Sequence, residues 1–111
     1  MKIQIDIPRW DIAETMGYQP KTTFWEDFSI ADRFGEKAVR DTFKRAFDEW
    51  KTDHVYLTEL VMVLNHKLWV HYNKENFDLA RVYEELWKKA DGYAANNLKG
   101  EELNYFYSVT D

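Results

Sequence analysis

Three histidines, His54, His66 and His71, are the side chains of this sequence best suited to bind a metal, with Glu59 and Glu75 as nearby carboxylates. A zinc-type centre needs three or four ligands converging on one point. On a helix of 3.6 residues per turn, His66 and His71 lie roughly 140° apart and face different ways. Glu59 and His66 share a face, two turns apart, but a pair does not complete a coordination shell. The spacing therefore points to histidines at the core edge or in solvent, and neither a metal nor any other cofactor is expected. The acidic pairs Glu84-Glu85 and Glu101-Glu102 suggest acid–base chemistry, yet neighbours on a helix diverge by about 100°. Glu84 with Lys88 and Glu85 with Lys89 read more simply as i,i+4 pairs on a solvated face. Ser29 and Ser108 are the only serines, and neither sits in a Gly-x-Ser-x-Gly turn or beside a histidine. Cysteine is absent, which removes disulfides and thiolate chemistry. No catalytic residue is assigned, and a non-enzymatic role is expected.

Basic residues suggest a second chemistry. The stretch from Phe28 to Arg40 reads as helix, glycine turn, helix, with Ala31 and Gly35 at the spacing of a DNA-reading helix-turn-helix. Lys37, Arg40 and Lys44 then fall at i, i+3 and i+7, one face toward phosphates. Glu36, Asp41 and Asp48 interrupt that face, and Asp41 falls near a position the motif keeps apolar. The net charge is −5, from 20 acidic and 15 basic residues. A helical hairpin with a solvated charged face is the simpler reading, and nucleic acid is not the expected partner. Aromatic residues are abundant: five Trp, seven Tyr and seven Phe, 17% of the chain. Most must fill the core. Trp25 and Trp87 point about 100° away from the stripes of their neighbours Phe24 and Leu86, so they are expected to be partly exposed and to contact a partner. Ile3, Ile5 and Ile7 join them as partner-binding candidates.

These side chains must be carried by one domain, residues 1–111, made of an extended arm over 1–8 and a helical bundle over 22–111. In the arm, Ile3, Ile5 and Ile7 alternate with polar residues up to Pro8, the period of a strand. Its pairing partner is either the β-favouring run Tyr105 to Thr110 or the same arm of a second copy in a homodimer. The segment from Glu101 to Tyr107 also reads as helix. Asp11 and Glu14, with Ile12 and Met16, suggest a helical turn or two before Pro20. A helix over 24–34 opens on a Thr23/Glu26 capping box, carries Phe24, Phe28, Ala31 and Phe34 on one stripe, and stops at Gly35. A helix over 36–51 buries Val39, Phe43, Ala46, Phe47 and Trp50. After Thr52-Asp53, residues 54–73 are apolar nearly all round and form the central helix, with Leu60, Val61, Leu64 and Leu68 inaccessible. A last helix over 77–98 aligns Leu79, Val82, Tyr83, Leu86, Ala90, Tyr93, Ala94 and Leu98. Short gaps make successive helices antiparallel neighbours. The predicted fold is mainly α, a compact antiparallel bundle of about four helices with an extended N-terminal arm.

A charge at Asp6 interrupts any signal-peptide apolar region, and no stretch reaches the roughly 18 apolar residues of a membrane span, so a cytoplasmic protein is expected. Three segments carry a resemblance: Thr23 to Gly35 (TFWEDFSIADRFG), Leu57 to Asn65 (LTELVMVLN) and Leu98 to Leu103 (LKGEEL). Over residues 22–111 the chain resembles a family of small uncharacterised proteins of gut Firmicutes, their phages and mobile elements. The resemblance implies a bacterial or phage cytoplasmic setting and transfers neither an activity nor functional residues. The expectation is a module that binds another protein, as an accessory or host-modulating factor of a phage or mobile element. The alternative is a DNA-binding regulator built on residues 24–51.

Overall fold

The computed structural model describes residues 20–110, which are mainly helical: α1 (Phe24–Asp32), α2 (Glu36–Trp50), α3 (His54–Asn73), α4 (Phe77–Asn97) and α5 (Glu101–Thr110). No strand occurs among them. The Ile3/Ile5/Ile7 arm and the Asp11–Met16 turns lie outside the described residues.

The centre of the fold is α3, which touches each of the other four helices. Over residues 57–64 a helix so placed has no solvent face to keep polar, which is why Leu57, Leu60, Val61, Val63 and Leu64 follow one another closely and are at most 1% exposed. Each such side chain contributes about 1.5–3 kcal/mol on burial. Leu68, expected to be inaccessible, is only half-buried, because it lies toward the end of α3. Asp53 starts the helix: its carboxylate accepts from the Val55 and Tyr56 amides at 3.0 and 3.1 Å.

On α2, Val39, Phe43, Ala46 and Phe47 are buried, and half-buried Trp50 packs on Tyr56 of α3 with ring centroids 4.3 Å apart. On α4 the stripe Val82, Tyr83, Leu86, Ala90 and Ala94 is buried against the same core. The C-terminal segment, left open between strand and helix, is helix α5. Phe106 is its fully buried anchor, and Leu103 and Val109 pack beside it at helical spacing.

Two details of α1 correct the sequence reading. The Thr23/Glu26 capping box does not form: the Thr23 hydroxyl donates to Asp27 at 3.0 Å instead. The start of α1 is held by a tertiary acceptor, Glu59 of α3, whose carboxylate accepts from the Lys21 amide at 2.8 Å, the Thr22 amide at 3.0 Å and the Thr22 hydroxyl. Phe34, expected on the core stripe, is 76% exposed. The helix ends at Asp32 and the next residues turn, so the spacing that aligned Phe34 with Phe28 and Ala31 no longer applies. Gly35 has φ 102°, which an L side chain rarely adopts, and serves as the N-cap of α2.

The corner from α3 to α4 is tight. The Glu75 amide donates to the Tyr72 carbonyl at 3.0 Å and the Asn76 amide to the His71 carbonyl at 2.8 Å, the paired bonds of a Schellman helix end. That motif places its left-handed residue at Glu75, with φ 62°. Glycine is the usual occupant, and a side chain there costs about 1 kcal/mol.

Candidate functional site

Beside this corner, α1, α3 and α4 meet around a buried polar cluster centred on Asp32. Tyr83 donates its hydroxyl to Asp32 Oδ1 at 2.5 Å. His71 Nε2 lies 3.0 Å from Asp32 Oδ2, and Lys67 Nζ donates to the same oxygen at 3.2 Å. Lys67 also donates to Ser29 Oγ at 2.6 Å and stands 4.2 Å above the Trp25 ring centre. A nearly buried ammonium is thus surrounded by a hydroxyl, a carboxylate and a π face. The His71 ring stacks on Tyr83 at 5.3 Å, with its Nδ1 at 3.3 Å from the Asn76 side-chain Nδ2. Phe28 closes the apolar side, edge-on to Tyr83.

The environment divides the protons clearly. Burial works to raise the pKa of Asp32, but hydrogen bonds from His71 and Tyr83 and the charge of Lys67 outweigh it and hold the carboxyl below its ordinary value. Burial pulls the Lys67 pKa down, against the opposing pull of Asp32. The Tyr83 phenol is pushed up by burial and by the Asp32 charge, so it remains a donor. A lysine 2.6 Å from a serine hydroxyl is within the reach of a Ser–Lys nucleophile pair. Ser29 donates to the Trp25 carbonyl at 2.8 Å, and Lys67 also donates to Asp32 at 3.2 Å. The cluster ties three helices together through complementary groups.

At the end of α3 and the start of α4 lies a row of exposed rings. Trp69, Tyr72 and Phe77 are 40%, 51% and 48% exposed. Trp69 meets Tyr72 edge-on at 5.5 Å, and Tyr72 meets Phe77 edge-on at 5.5 Å. This ridge was not singled out by sequence, which placed the partner contact at Trp25 and Trp87. Both of those are half-buried and pack against the core, Trp25 beneath Lys67. Ile3, Ile5 and Ile7 lie outside the described residues. The polar cluster also went unseen, although Lys67 and His71, one turn apart in an otherwise apolar helix, are a signal that buried partners exist.

The three basic residues of the DNA-reading alternative are all engaged with acids. Lys37 pairs with Asp41 at 2.8 Å and Lys44 with Asp48 at 2.9 Å. Arg40 donates to Glu36 at 2.8 Å and, through both terminal nitrogens, to Glu85 at 2.8 and 3.0 Å. The Arg40–Glu85 pair links α2 to α4 beside a groove of about 430 Å³ lined by Gly35, Asp78, Arg81 and Val82. This face presents alternating charge. Among the described residues, no three His, Cys, Asp or Glu side chains are grouped to hold a metal, and no helix is long and apolar enough to cross a membrane.

Fold and site together define a mainly helical domain with a polar cluster inside and an aromatic ridge outside. Comparison with protein-family models, curated proteins and solved structures gives no match.

Proposed function

We propose that this chain is a non-enzymatic protein-binding module and that the Trp69–Tyr72–Phe77 ridge is its contact surface. The observation that carries the reading is the run of three exposed rings on one corner, with Tyr72 in contact with both Trp69 and Phe77. Tyr and Trp supply large contact area at small conformational cost, and they dominate the energetics of protein interfaces. The same end of α3 is tied to α1 through His71, which is bonded to Asp32. In this reading the helices, joined by three-residue connections, form an antiparallel bundle that presents the α3–α4 corner at one end. A role as an accessory or host-modulating factor of a phage or mobile element, in the bacterial cytoplasm, belongs to the same proposal.

The test is capture of partners from the expressing host by the full-length protein, alongside a Tyr72→Ser/Phe77→Ser variant shown by circular dichroism to be equally helical. A partner retained by the wild type and lost by the variant supports the ridge. Equal retention by both proteins sinks it.

A further inference from the structure

Three charged residues surround the ridge corner, and the fold accounts for two of them. Lys74 follows the last turn of α3, where the helix dipole favours a cation. Asp78 lies in the first turn of α4, where it favours an anion. Glu75 has no such reason. It occupies the left-handed position at which glycine is preferred, and its carboxylate makes no hydrogen bond or ion pair within the described residues. It is exposed, three residues after Tyr72 and two before Phe77, whose rings touch across the turn. A glycine would close the same turn without strain, so the side chain has its use outside the fold.

Taking the ridge as the contact surface, we infer that Glu75 reads charge on the partner: a protein segment that inserts an apolar side chain against Tyr72 and Phe77 and brings an arginine or lysine to the Glu75 carboxylate. Charge complementarity selects this occupant. Glu75 lies between the two rings in sequence, Asp78 and Arg81 share the groove side of α4, and the chain as a whole carries −5. A basic-apolar segment satisfies both the rings and the Glu75 carboxylate.

The probe is a displayed library of random dodecapeptides, panned on the full-length protein and counter-selected on the folded Tyr72→Ser/Phe77→Ser variant. Recovered peptides are expected to combine an aromatic or aliphatic residue with Arg or Lys. Their affinity, by fluorescence anisotropy, should fall about fivefold on Glu75→Gln and Glu75→Gly, weaken with salt, and be retained by Glu75→Asp. Peptides that discriminate the ridge variant but bind Glu75→Gly as well as wild type overturn the inference and leave the ridge standing. Failure to recover any peptide that discriminates the ridge variant removes both.

Discussion

Replacing Asp32 by Asn keeps the shape of the central acceptor and removes its charge. Lys67, whose side chain is 6% exposed, then remains buried without its counter-ion. Breaking a buried pair from one side costs about 3–5 kcal/mol. The lower end is expected, because the Ser29 hydroxyl and the Trp25 ring still face the ammonium and the new amide oxygen still accepts from Tyr83. About 3 kcal/mol is a large part of the 5–15 kcal/mol typical of a domain. Urea unfolding followed by circular dichroism measures the loss, and Lys67→Met in both backgrounds completes a cycle. The double variant should lose less than the sum of the singles by about 2 kcal/mol, since it carries no orphaned charge. The pH dependence has a definite sign. Asp32 has a folded pKa below its usual 3.8, so its contribution is present above that value and is lost as pH falls through the folded one. Wild type should therefore lose stability more steeply than Asp32→Asn at acid pH. A loss under about 1 kcal/mol with an additive cycle would refute a coupled cluster.

Leu64→Ala, at a fully buried site in α3, should cost about 2–5 kcal/mol in the same assay. Glu75→Gly relieves the left-handed strain and should stabilise the protein by about 1 kcal/mol, raising Tm by roughly 4 °C in a thermal melt. Duplex DNA binding should be weak at physiological salt, because Lys37, Arg40 and Lys44 already face acids. An anisotropy titration giving tight binding that falls with salt by about 0.9 log units per decade for each of three phosphate contacts would reverse that view.

Periodicity made α2, α3 and α4 legible almost to the residue, because each repeats apolar side chains over four or more turns. Asp53 was legible as a cap because its bonds are local. The start of α1 was not, because its acceptor is Glu59 rather than a neighbour in sequence. The same limit hid the polar cluster: Asp32 and Lys67 are 35 residues apart, and only the placement of α1 beside α3 pairs them. Trp69 and Tyr72 were merged with the core because they continue an apolar run. Whether the end of such a helix is covered depends on what packs beside it, and sequence spacing carries no record of that. Segment 101–110 was ambiguous because its aromatic residues suit strand as well as helix; burial of Phe106 decides for helix.

The Glu59 anchor bears on the order in which the chain can assemble during synthesis. Residues 20–32 leave the ribosome before α3, yet the carboxylate that holds the Lys21 and Thr22 amides belongs to a residue 37 positions after Thr22. An isolated nine-residue helix without its cap is marginal in water, so α1 has to wait. The most extensive pairing is α3 with α4, which are joined by three residues and share the largest interface. The segment translated before its neighbours thus reaches its final bonds only once α3 brings Glu59 to meet it and Lys67 to meet Asp32.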